Sequence, residues 1–109
     1  MLPHSINQIS HALGADPLII QGGGGNISFK DPKSNSIWIK ASGKWLEHAN
    51  TENVYLELDL QKGKEWLSTG LHDFPSDWVK ASNSATPLRA SIETSLHLLF
   101  ESPVVVHTH

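Results

Sequence analysis

The segment Val54-Tyr55-Leu56-Glu57-Leu58-Asp59-Leu60 alternates apolar and polar positions, which commits it to a strand with one buried face, ended by Gln61-Lys62-Gly63-Lys64. A different period follows downstream. Leu88, Ile92, Leu96 and Leu99 recur at helical spacing between Pro87 and Phe100, Glu101-Ser102-Pro103 breaks the run, and Val104 to His109 reads as a β-branched core strand. A chain that carries both periods in succession folds as a mixed α/β unit. Ile27 to Lys30 and Ile37 to Lys40 form a hairpin around the turn-rich Asp31 to Ser36, and Ala41-Ser42-Gly43 closes it. Ahead of the hairpin the pattern predicts a short helix capped by Ser5, with Ile6, Ile9 and Leu13 on one face and Gly14 and Pro17 as its stop. Between residues 61 and 86, Trp66 and Trp78 signal packing, and a short helix is expected over Ser76 to Ala81.

With 109 residues, 39% of them hydrophobic, the chain can build one domain, residues 1–109, and not two. Lys and Arg number 8 against 11 Asp and Glu, so no broad basic surface exists to neutralise nucleic acid or to hold an anionic membrane. Because cysteine is absent, disulfides, thiolate metal clusters and Cys nucleophiles are excluded, and any metal must be held by His or carboxylate. His4, Asn7, Gln8, His11 and Asp16 interrupt the N-terminal region, so no leader is expected and a cytoplasmic location is the default.

Three segments can carry chemistry. In His107-Thr108-His109 two imidazoles lie two positions apart, ~6.6 Å along a strand and on the same face, where both can meet one cation. Two partly exposed histidines without a ligand would read the same way. Glu93 stands at the start of the helix that leads into this strand, and the short connection makes helix and strand antiparallel, so Glu93 and His109 are expected to be neighbours. A carboxylate there is a candidate general acid/base, although an acidic residue in a first helical turn also suits the helix dipole. His97 shares that helix face and reads as a core or supporting histidine rather than a ligand. The run Gly22 to Gly25 followed by Asn26 can bring backbone N–H groups and an amide to phosphate or carboxylate, or can simply be a flexible approach to the hairpin. It matches neither dinucleotide-binding nor P-loop spacing. Ser42, Gly43 and Ser91 are small positions of the same kind, each also explained by turn and cap preferences.

Taken in order, Gly-Gly-Asn-Ile-Ser at 24–28, Lys-Ala-Ser-Gly at 40–43, Ser-Ile-Glu-Thr-Ser-Leu-His at 91–97 and Val-Val-His-Thr-His at 105–109 resemble the class II aldolase/adducin family. The likeness is to its sugar-phosphate aldolase branch, of the fuculose- and rhamnulose-phosphate type. It implies a three-layer αβα fold around a mostly antiparallel central sheet. It further implies His107 and His109 as ligands of a divalent metal, zinc by the resemblance, and Glu93 as general acid/base. Gly25, Asn26, Ser42, Gly43 and Ser91 would then bind the substrate phosphate. Ile92 stands where the family often has a second serine, which removes one hydroxyl from that set.

The resemblance implies retro-aldol cleavage of a ketose 1-phosphate to dihydroxyacetone phosphate and an aldehyde, a step of carbohydrate metabolism. The expected partners are a small sugar phosphate and further copies of the chain, tetrameric by resemblance. Epimerases and dehydratases of the same family use related chemistry, and adducin-like relatives are interaction modules without catalysis. In the family a third metal-binding His follows the His-x-His pair by several tens of residues. The chain is therefore expected to be the N-terminal half of the family domain, a fragment or truncated product, inactive by itself.

Overall fold

The computed structural model describes residues 2–68, 77–80 and 93–108. Helix α1 (His4–Gly14) is followed by strands β1 (Asn26–Asp31) and β2 (Ser36–Lys40), a 3-10 turn at Leu46–His48, strand β3 (Tyr55–Asp59), helices α2 (Leu60–Ser68) and α3 (Thr94–Leu99), and strand β4 (Val104–His107). The strands form one antiparallel sheet in the order β3-β2-β1-β4. The hairpin is the one the sequence predicts, with Phe29 opposite Trp38 and Asp31 opposite Ser36. From β3 the chain crosses one face of the sheet through α2 and α3 to reach the opposite edge as β4.

Both sheet faces are covered, which makes three layers. On one side Ile27, Trp38 and Tyr55 pack with Ile6 of α1, with Ile20 and with Leu46 of the 3-10 turn. On the other, Ile37, Ile39, Leu56 and Leu58 pack with Leu60 and Trp66 of α2, Leu98 of α3 and Trp78. Each fully buried aliphatic side chain contributes roughly 1.5–3 kcal/mol to this sandwich. No helix among the described residues is long and apolar enough to cross a membrane.

Several expectations are corrected. Helix α1 starts at His4, with Pro3 in the capping position and no side-chain cap, so Ser5 does not cap it. Its buried residues are Ile6 and Ser10, while Ile9 is 45% exposed. The polar Ser10 is tolerated there because its hydroxyl donates to the Ile6 carbonyl and also bonds the Tyr55 hydroxyl. Residues 60–68 are helical where the sequence suggested a strand end and loop. The Asp59 carboxylate accepts from the Lys62 N–H at 2.9 Å, and the Asn35 side chain accepts from the Gln61 N–H at 2.9 Å, so two side chains cap α2. Leu60, Gly63 and Trp66 then form its buried face.

The helix expected over 76–81 is absent in its described part. Val79 instead forms a bridge with Leu58, the Asp59 N–H donates to the Trp78 carbonyl and the Lys80 N–H to the Glu57 carbonyl. Trp78 is held in place against Trp66, edge to face at 5.2 Å. In α3 the buried side is Thr94, His97 and Leu98, whereas Leu96 and Leu99 point outward; Leu88, Ile92 and the expected helix start at Pro87 lie outside the described residues. β4 is an edge strand rather than a core strand among the described residues, because it pairs only with β1 and leaves Val104 and Val106 more than 40% exposed.

Candidate metal centre and neighbouring turns

α3 and β4 run antiparallel through the short connection Phe100–Pro103, which returns the end of the strand to the start of the helix. Glu93, immediately before α3, places its carboxylate in direct contact with His107 Nδ1. His97, one turn further along α3, has its ring centroid 6.3 Å from that of His107. One oxygen of Glu93 and one nitrogen from each histidine lie within 4.8 Å of one another. Glu93 thus neighbours His107 directly; His109 and Ser91 lie outside the described residues.

His97 is fully buried, and its Nδ1 is hydrogen-bonded to Ser28 Oγ at 2.7 Å. Its Nε2 is buried and makes no hydrogen bond among the described residues. Burial, then the charges of Lys30 and His107, hold its pKa down to about 4, so the ring is neutral near pH 7. A neutral imidazole fixed through one nitrogen and presenting the other is the form that binds a cation. A carboxylate oxygen with imidazole nitrogens is a donor set suited to zinc and other divalent transition ions, so the residues present fit such a group. His97 was read as a supporting residue from sequence. The signal for a closer role was its i, i+4 spacing from Glu93, which puts both on one helix face.

Two turns border this cluster. Gly25 has a φ of 74°, and a Cβ there would lie 2.9 Å from the His107 carbonyl oxygen, so only glycine lets the turn pass this close to the end of β4. Asn26 is opposite His107 in the sheet register and fully buried. Its side-chain amide donates to the Lys40 carbonyl at 3.2 Å and accepts from the Lys40 N–H at 3.0 Å, continuing the β1–β2 ladder where the backbones part. Ser42 and Gly43 are exposed in the turn after β2, closed by the Lys44 N–H donating to the Ala41 carbonyl.

Lys40 joins the two turns and was assigned no role by sequence reasoning. Its ammonium is buried and donates to the carbonyls of Gly23 at 3.1 Å, Ala41 at 3.3 Å and Lys44 at 2.7 Å. The Trp45 indole lies against Gly22 and Gly23 and stacks on His48. The expected residues therefore fall into two adjoining groups: Glu93 with His107, joined by His97, and Gly25–Asn26 with Ser42–Gly43, joined by Lys40.

Residues 6–109 match the Class II Aldolase and Adducin N-terminal domain, and the chain belongs to that family. The family commonly uses a divalent metal, in keeping with the donor set formed by Glu93, His97 and His107. Among solved structures, the chain resembles the N-terminal class II aldolase domain of a conserved protein from Thermoplasma acidophilum, with a TM-score of 0.68 and 23% identity. That likeness covers 95% of this chain and 53% of the other, so the chain spans about half the length of the structure it matches. No curated protein matches it.

Proposed function

We propose that this chain is the N-terminal portion of a metal-dependent aldolase domain that cleaves a ketose 1-phosphate to dihydroxyacetone phosphate and an aldehyde. The observation that supports the reading is the convergence of the Glu93, His97 and His107 donor atoms within 4.8 Å, beside the glycine turn. A divalent cation bound there, zinc by the donor set, would supply Lewis-acid polarisation of the substrate oxygens. His107 holds the cation, with His109 as its companion. Glu93 would be the proton carrier, delivering to the donor carbon released by cleavage one proton, which is balanced by the proton lost from the hydroxyl that becomes the aldehyde carbonyl. Backbone N–H groups at Gly25 and the Ser42–Gly43 turn, with Asn26 and Ser91, hold the anionic end, which fixes the reacting carbon against Glu93.

The test is product analysis of the metal-loaded intact domain, with this chain as its N-terminal portion, given ketose 1-phosphates, beside the same domain carrying Glu93→Gln. Formation of dihydroxyacetone phosphate, lost with a chelator and lowered by about 10²-fold or more in the variant, supports the reading. Metal-dependent epimerisation or loss of water without carbon–carbon cleavage would replace it with a different family reaction. A metal-loaded intact domain that turns over no sugar phosphate would sink it, whereas inactivity of the 109-residue chain alone is what the reading expects.

A further inference from the structure

We propose that the buried ammonium of Lys40 is the positioning residue of the anion subsite, locking the Gly22–Gly25 turn to the Ala41–Lys44 turn and supplying the fixed positive charge that selects a phosphate monoester over a neutral sugar. This rests on the reading that the two turns hold the anionic end of the substrate.

Lys40 is the last residue of β2, on the same sheet face as Tyr55, with which it is paired in register. It is 2% exposed. Lysine is rarely buried to this degree, because taking an ammonium out of water costs several kcal/mol unless its protons are satisfied. Here the three protons go to three backbone carbonyls, one on the glycine turn and two flanking Ser42–Gly43. Those partners satisfy the hydrogen bonds and leave the charge uncancelled. Among the described residues no carboxylate forms an ion pair with Lys40. Burial lowers its pKa, and the charge of Glu93 opposes that shift.

The turns it ties together have exposed tips: Gly22, Gly23, Ser42 and Gly43 all face solvent. An anion between them would meet turn backbone and small side chains directly, with the ammonium behind them as a fixed charge. Lys40 therefore acts through the turns rather than by touching the ligand. A buried clamp with no electrostatic part would serve a neutral polyol as well as a phosphate ester, and that difference separates the two roles.

The experiment titrates the protein with inorganic phosphate, and separately with dihydroxyacetone phosphate and dihydroxyacetone, following backbone amides of residues 22–26 and 42–44 and the Lys40 side-chain signals by NMR. In the unsubstituted protein both phosphates should shift the turn amides and the Lys40 signals with one common affinity, inorganic phosphate reporting the anion alone and the ester the substrate end. In Lys40→Met, phosphate affinity should fall by about tenfold or more while dihydroxyacetone is held as before, and Lys40→Arg should restore most of the loss. Equal weakening of charged and neutral ligands, or no rescue by arginine, would leave Lys40 a plain clamp and overturn the proposal. If Lys40→Met does not fold, the unsubstituted protein decides: turn amides that move while the Lys40 signals stay still refute it. Should phosphate leave both turns unperturbed, the anion-site reading itself falls, an outcome distinct from a bound phosphate that ignores Lys40.

Discussion

Replacing Gly25 by alanine probes the junction between the glycine turn and the end of β4. Two costs apply at this position. A φ of 74° is left-handed, and an L-residue held there loses roughly 1–2 kcal/mol. The new Cβ would also lie 2.4 Å from Ile20 Cδ1 and 2.9 Å from the His107 carbonyl oxygen. The Ile20 methyl can swing aside, but the carbonyl belongs to the β4 ladder and yields only if the strand moves, an overpacking cost of roughly 1–3 kcal/mol. Reduced freedom of the unfolded chain returns roughly 0.4–1 kcal/mol, so the net loss should be about 1–5 kcal/mol. Gly43→Ala is the control, since its φ of 78° is similar and nothing lies within 4 Å of its Cβ. Urea unfolding with an unchanged slope would give each loss, and the difference between the variants isolates the contact with β4. Equal destabilisation within about 0.5 kcal/mol would refute the close approach of the turn to His107.

Asp59→Ala should cost about 1 kcal/mol by uncapping α2, read by thermal unfolding. Leu98→Ala should cost roughly 2–5 kcal/mol, because this side chain joins α3 to the core shared by α2 and the sheet. His97 gives a pH dependence in metal-free protein: its folded pKa of about 4 lies below the ordinary value of 6.5, so the unfolded chain takes up the proton first. The contribution of His97 is complete above pH 6.5 and is lost as the pH falls towards 4, and His97→Asn should flatten that part of the denaturation profile. Zinc at a hundredfold excess over its dissociation constant should stabilise the fold by about 2.7 kcal/mol, reversed by a chelator, as measured by thermal unfolding.

The β1–β2 hairpin was legible because alternation and turn chemistry agree at Ile27–Lys30, Asp31–Ser36 and Ile37–Lys40. Helix α2 was not. Gly63 and the polar run around it weaken local propensity, and one of its caps comes from Asn35, far back in the chain. The apolar spacing of Leu96 and Leu99 was a true helical period, yet it marks the outer side of α3, since Thr94, His97 and Leu98 face the sheet. A valine run reads alike whether one or both faces are covered, so the edge position of β4 became visible only through its pairing. Of the site, the nearness of the Glu93 end of the helix to the β4 end followed from the short α3–β4 connection alone. The roles of His97 and Lys40 depend on which atoms are buried beside which carbonyls and rings, and spacing does not carry that information.

Metal content tests the grouping of Glu93, His97 and His107 most directly. Protein loaded with excess zinc and then dialysed should retain a single ion per chain by elemental analysis, and His107→Ala should lose most of it while keeping its circular dichroism. Retention of the ion at the same stoichiometry and affinity in His107→Ala would contradict a cation held between this helix and this strand.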